Sequence, residues 1–490
     1  IRVRFASGQS LCLVERFGLF ALDATAQERL KLSRSNQMKY DEFIKDKSQW
    51  KHDAGFKCGE LPGFLFDFQR HLVEWSLMKG RSALFADCGM GKTAMELAWA
   101  NEIIKRENKP ALLLTPIAVG AQMIGESEKF GVEARRSRDG KCDGSPLVWI
   151  ANYEQLHKFD PSMFAAVICD ESSGIKDANS ERKAMVVEFM RTIKYRLLCT
   201  ATAAPNDFWE LGTSSEALGL LGFRDMITTF FKQETGKDHL GWGRTKYRFR
   251  GHAQEPFWAW VCSWARSLRK PSDLGFCDDG FELPPLIEKE YVVDTAECRD
   301  GMLFAMPGAS LHEERAERRN SIAERCEKAS GIALGHDGPT VCWCELNDEG
   351  DQLEKMIPGS KQIKGSMSDE QKEEYLTAFS SGELRHLITK PKIGAWGLNW
   401  QHCCNVVSFP SHSYEQYYQA VRRCYRFGQK NPVNVSIIVG EGEAGILENL
   451  RRKAAQSAIL FESIVAHMKD AMHLQTQDFF PDSEVLPSWL

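Results

Sequence analysis

Several things are scarce in this 490-residue sequence, and each scarcity closes off a class of protein. Neither charge dominates: 62 Lys and Arg stand against 67 Asp and Glu, a formal net charge of −5. That excludes a binder that grips nucleic acid through a uniformly basic surface, so any polyanionic partner must be held by local patches. No stretch approaches the roughly 18 uncharged apolar residues of a membrane-spanning helix. The apolar run near the start is broken by Glu15 and Arg16, against a secretory signal. Internal repeats and low-complexity tracts are missing too. The 15 cysteines follow no regular framework, and the close pairs Cys342/Cys344 and Cys403/Cys404 lack zinc-ligand spacing. They read as buried thiols in a reducing compartment. What is present is 43% apolar and 26% charged residues, enough to bury sizeable cores. At about 150 residues per domain the length suggests about three units. The expectation is a soluble, intracellular, multidomain protein.

Residues 1–60 are weakly periodic. Met38 opens a polar stretch that would suit the start of a protein, so residues 1–37 are either an upstream extension without a functional part or a genuine N-terminal arm. From about residue 61, short apolar runs alternate with longer helical patterns: "SALFA", "ALLLTP", "PLVWIANY" and "FAAVICD" are the runs. Such alternation predicts parallel strands joined by helices. It stops near residue 205, gives way to aromatic helical stretches such as "PFWAWVCSWARSL", and resumes after Pro284 and Pro285 with "TVCWC", "HLITK", "NVVSF" and "VNVSIIV". The predicted architecture is α/β: an N-terminal extension (1–60), a first parallel-sheet lobe (61–205), a mostly helical insertion (206–282), a second lobe (283–460) and a C-terminal tail (461–490).

"SALFADCGMGKT" sets a glycine-rich turn between a predicted strand and a helix. Backbone N–H groups at Cys88, Gly89, Met90 and Gly91 would hold phosphate oxygens at a helix N-terminus. Lys92 would reach the β- and γ-phosphates, and the Thr93 hydroxyl would ligate Mg²⁺. The full pattern has a further glycine where Ala86 stands, and a bare Gly-Lys-Thr also suits an ordinary strand–helix turn. Further on, an apolar run ends in Asp170 and Glu171. Paired carboxylates at a strand end suit metal binding by Asp170 and activation of the attacking water by Glu171, although by themselves they also suit a solvated loop. Near the other end, "YEQYYQAVRRCYRFGQK" carries Gln419, Arg422, Arg423 and Arg426. If helical, the arginines make one local basic face, which would serve a γ-phosphate, a nucleic-acid phosphate or solvent.

In this order the motifs resemble the superfamily 2 helicases, in particular the Swi/Snf-type branch of DNA translocases and its phage- and prophage-borne members. The resemblance covers about residues 61–440 and implies two RecA-like lobes with ATP and Mg²⁺ at their interface. In "FLFDFQRHLVEW" it implies that Gln69 contacts adenine, with Phe66 or Phe68 stacking. "ALLLTP" would lay Thr115 and Pro116 near the nucleic-acid backbone. "DESSGIKD" keeps Ile175 and Lys176 of the acidic box, with Ser172 and Ser173 replacing Ala-His. "LLCTATAAPNDFWEL" is similar to the coupling motif through Thr200, Thr202, Asn206, Glu210 and Leu211, with Ala203 in place of proline. "GAWGLNWQ" is similar to motif V through Gly397, Leu398 and Asn399, while Pro391 stands near a usual threonine. "QAVRRCYRFGQ" makes Arg423 and Arg426 the implied arginine fingers, and Arg422 replaces an Asp.

The implied function is a nucleic-acid-stimulated ATPase that translocates on DNA, duplex favoured over single strand or RNA, in the cytoplasm (a host's, if phage-borne). A strand-separating DNA or RNA helicase and an ATP-switched binding scaffold are the competing readings. "GRTKYRFR" places Arg244, Lys246, Arg248 and Arg250 at period two. On a strand that is one cationic edge, for phosphate contact or for solvent. The Trp258, Trp260 and Trp264 series reads as helix core.

Overall fold

The computed structural model describes residues 54–116, 119–237, 243–294, 311–394 and 399–477. Residues 1–37, most of the 1–60 segment, and Gly397 and Leu398 of the motif V resemblance lie outside the described residues.

Strands β1 (Arg81–Ala86), β2 (Ala111–Thr115), β3 (Ala134–Arg136), β4 (Val148–Asn152), β5 (Ala166–Cys169) and β6 (Tyr195–Cys199) belong to one sheet. Then come β7 (Phe231–Lys237) and β8 (Gly243–Phe249), which pair only with each other as an antiparallel hairpin, and β9 (Ala265–Leu268). β9 returns to the first sheet, whose order is β3-β4-β2-β5-β6-β1-β9 with all neighbours parallel. The second sheet holds β10 (Leu286–Val293), β11 (Thr340–Trp343), β12 (Lys361–Gln362), β13 (His386–Thr389), β14 (Asn405–Ser408) and β15 (Val433–Gly440). Its order is β10-β15-β14-β11-β13-β12, again parallel. The protein is therefore α/β, with two parallel-sheet lobes. Helices cover both faces of such a sheet, so β2, β4, β5 and β6 are buried along their whole length and read as unbroken apolar runs.

Two regions differ from the sequence reading. Residues 206–282 do contain helices, Leu211–Leu218, Phe223–Phe230 and Gln254–Trp264, but also the β7–β8 hairpin and β9. The helical pattern of "PFWAWVCSWARSL" stops at Trp264 because the next four residues pair with β1. Trp258, Trp260 and Trp264 are core, within an aromatic cluster that includes Phe230 and Phe257. At the other end no break falls at residue 460: one helix runs Ala444–Gln477. It leaves the second lobe after β15, buries Leu460, Phe461, Ile464 and Met468, and packs on the helix Gln254–Trp264 and on β9. Among the described residues no helix is long and apolar enough to cross a membrane.

Candidate active site

β1 ends at Ala86, and the helix Lys92–Glu107 begins six residues later. Two glycines make that turn possible. Gly89 has φ +89° and Gly91 φ +77°, left-handed values that L side chains resist. Neighbours add a steric demand: a Cβ on Gly91 would lie 2.2 Å from Nε2 of Gln69, and one on Gly89 2.8 Å from the backbone N of Phe427. The second contact crosses between lobes. The turn that carries the sequence-predicted arginines thus lies directly against the glycine-rich turn, the predicted phosphate loop.

Gln69 stands in the helix Asp67–Lys79. Its Nε2 donates to the carbonyl of Met90 at 2.9 Å, and its Oε1 accepts from the backbone N of Phe66 at 3.1 Å. The predicted base-contacting amide is wired to the phosphate loop. Beside it the rings of Phe66 and Phe281 lie 5.1 Å apart, and those of Phe281 and Phe427 4.7 Å. Phe66 is half exposed, so an aromatic edge stays open at the cleft. Phe281 and Phe427 escaped the sequence reading, because nothing local links a linker residue to one that follows an arginine.

The acids sit where β5 ends. Thr115 Oγ1 donates to Asp170 Oδ2 at 3.1 Å, and the Tyr153 hydroxyl donates to the Asp170 carbonyl at 2.7 Å. Thr115 therefore departs from its implied place near nucleic acid: it is fully buried and supports the acid, because β2 and β5 are sheet neighbours. Burial pushes the Asp170 carboxyl up to about 7. The charge of Glu171 adds to this, and Lys92 and the Thr115 bond partly oppose it. Burial alone would pull the Lys92 ammonium down, but Cys88 and the acids Glu171, Asp170 and Glu96 outweigh it and hold the ammonium above its ordinary value. Lys92 Nζ donates to the carbonyl of Ala86 at 3.0 Å. Glu171 has φ +50° and ψ +51°, a left-handed conformation that costs a non-glycine residue about 1 kcal/mol or more. Thr200 Oγ1 donates to its Oε2 at 3.4 Å. Farther along that loop, Asn206 is bound through its Nδ2 to Glu210 at 2.7 Å.

The arginines do not form a helical face. The helix Tyr414–Val421 ends before them, and Arg422 is its C-cap. Tertiary partners claim the backbone beyond: Trp400 N donates to the Arg423 carbonyl at 2.9 Å, and the Gln429 amide braces the carbonyls of Cys403 and Cys424. Arg423 is buried, with Nε donating to the Gln419 carbonyl at 3.1 Å. Burial, then repulsion from Arg423, pulls the Arg426 guanidinium down to about 10, while Cys88, Glu126 and Glu171 work the other way. All three opposing groups belong to the first lobe, so the Arg426 charge stands within reach of that lobe.

Structure thus brings together Gln69, residues 88–93, Asp170 and Glu171, with the turn at Phe427 against Gly89 and Arg426 within reach of first-lobe charges, while the Nε of Arg423 donates within its own lobe. Gly397 lies outside the described residues, and Asn399 is exposed. Thr93 and Asp170 offer hard oxygen donors at this cleft, a set that fits Mg²⁺.

Residues 330–428 match the helicase conserved C-terminal domain, a stretch from the helix before β11 to the arginine turn. In structure the chain is similar to the Sulfolobus solfataricus SWI2/SNF2 ATPase core in complex with dsDNA, at 17% identity and a TM-score of 0.39. That match covers 84% of this chain and 96% of the other. No curated protein matches the sequence. Neither match concerns phage or prophage members.

Proposed function

We propose that the chain is a nucleic-acid-stimulated ATPase of the superfamily 2 helicase kind that translocates along DNA, with the duplex as favoured track. The observation that carries this is the contact of Phe427 with Gly89, which sets the arginine turn of one lobe on the phosphate loop of the other. The helicase C-terminal match over that same turn supports it.

In this reading residues 61–205 with β9 and residues 283–460 are the two motor lobes. Backbone N–H groups of residues 88–91 and the Lys92 ammonium bind the triphosphate. Mg²⁺, held by Thr93 and Asp170, supplies charge neutralisation on the phosphates when bound. Glu171 orients the attacking water and takes its proton. Arg423 and Arg426 meet the charge that develops on the γ-phosphoryl group, an effect typically worth about 10³–10⁵ in rate. Because the site is split between lobes, nucleotide favours their closure and hydrolysis relaxes it. Two backbone grips that alternately approach and separate advance along a strand. The β7–β8 hairpin suits one grip: Lys232 pairs in register with Arg248 on one face, and Arg250 follows.

The test is the ATP turnover rate with duplex DNA, single-stranded DNA and RNA at one fixed salt concentration. Stimulation, greatest with duplex, is expected; no turnover with any of the three overturns the reading.

A further inference from the structure

Glu415, Tyr418 and Arg422 are spaced three and four residues apart, so they form one stripe along the helix Tyr414–Val421 and its cap. All three reach the first lobe. Glu415 pairs with Lys176, which follows the acid pair, and accepts from Thr202 Oγ1 at 3.5 Å. The Tyr418 hydroxyl donates to Asp87, the residue that opens the phosphate loop. Arg422 pairs with the same carboxylate through Nη2, and its Nε donates to Asp87 Oδ1 at 3.3 Å. Arg422 Nη1 donates to the Tyr425 carbonyl at 3.1 Å, and its guanidinium lies 5.4 and 5.2 Å from the ring centres of Tyr418 and Tyr425. Asp87 also accepts from its neighbour's backbone, Cys88 N, at 2.6 Å. Both side chains of the pair are more than nine-tenths buried.

We propose that Arg422 is a positioning residue and not a third phosphate-facing arginine: with Tyr418 and Glu415 it docks the helix Tyr414–Val421 on the first lobe and so fixes where Arg423 and Arg426, in the turn after it, stand. Each of its three guanidinium nitrogens already has a partner in Asp87 or Tyr425, and the Asp87 carboxylate meets the charge that a phosphate would otherwise draw. The stripe grips three separate loops of the first lobe, those at Asp87, Lys176 and Thr202, each of which borders the candidate nucleotide site. Loss of either partner strands a buried charge, so the pair behaves as one unit.

The consequence for turnover rests on the ATPase reading above, but the docking does not, and the experiment separates the two. Arg422→Gln, Asp87→Asn, the double variant and Arg422→Lys are compared by hydrogen exchange of residues 87–91 and 414–428 without nucleotide, and by ATP-analogue affinity and kcat. Faster exchange in both segments is expected for each single variant, with the double variant no faster than the worse single. Turnover should fall roughly 10- to 100-fold while analogue affinity changes less than about 3-fold, again without compounding in the double. Arg422→Lys should recover part of the loss. Unchanged exchange, losses that multiply in the double, or an affinity loss equal to the turnover loss in Arg422→Gln would each overturn the proposal. A wild-type chain that exchanges as expected but hydrolyses no ATP would overturn the ATPase reading alone.

Discussion

Thr200 donates its hydroxyl to the Glu171 carboxylate, which ties the acid after β5 to the loop after β6. That loop continues to Phe208 and Trp209, whose rings lie 6.1 Å from Phe249 and 5.6 Å from Tyr247 of the β7–β8 hairpin. A continuous line of contacts therefore joins the proposed water-activating group to the proposed DNA grip. Glu171→Gln keeps the shape and the hydrogen bond but removes the base. Turnover should fall by about 10²–10⁴ while ATP binding persists, leaving a stalled complex on DNA. Equilibrium binding beside steady-state turnover checks this, and parallel loss of both would contradict it.

Lys92→Ala removes the cation among Asp170, Glu171 and Glu96. The fold should survive, since the side chain lies at the cleft and not in a packed core; circular dichroism would show it. ATP turnover should disappear, and unchanged turnover would overturn the site assignment.

Asp170 gives a pH dependence with a definite sign. Its carboxyl rises from an ordinary 3.8 to about 7 on folding. Between those values the folded chain holds a proton that the unfolded chain has released, so stability falls as pH rises through that window and levels off above about 7. Asp170→Asn should flatten this slope in denaturant titrations run from pH 5 to 8. Because Mg²⁺ competes with the same proton, turnover at limiting Mg²⁺ should weaken below pH 7 and recover as Mg²⁺ is raised. An Mg²⁺ requirement that does not change with pH would argue against Asp170 as a ligand.

Arg248 is exposed, and the Glu234 carboxylate lies 3.6 Å from its guanidinium. Exposed pairs of this kind hold weakly, which leaves the guanidinium available to a phosphate. Arg248→Ala with Arg250→Ala should weaken duplex binding equally across sequences and reduce the slope of log affinity against log salt by about 1–2. An unchanged slope would remove the hairpin from the interface.

Much of this was legible in the residues. The apolar runs that became β1, β2, β4 and β5 are read from composition alone, because a strand covered on both faces has little room for polar side chains. The glycine-rich turn and the acid pair carry local chemistry, and both fall at the strand ends where the sequence puts them. What could not be read is held by distant partners. β9 is "ARSL", short and half polar; its Arg266 is buried because the guanidinium lies 4.2 Å above the Trp75 ring, a contact between residues far apart in sequence. Asp87 looks like an ordinary turn residue until Tyr418 and Arg422 arrive from the other lobe. The helix through residue 460 was readable: Leu460, Phe461, Ile464 and Met468 follow its period.

The most direct test of the two-lobe site is Arg426→Ala, assayed for nucleotide affinity and for DNA-stimulated turnover on the same preparation. Because the guanidinium is assigned to the transition state and not to ground-state binding, turnover should fall by about 10³ or more while affinity changes only a few-fold. An equal loss of both, or full turnover without the arginine, would contradict the account.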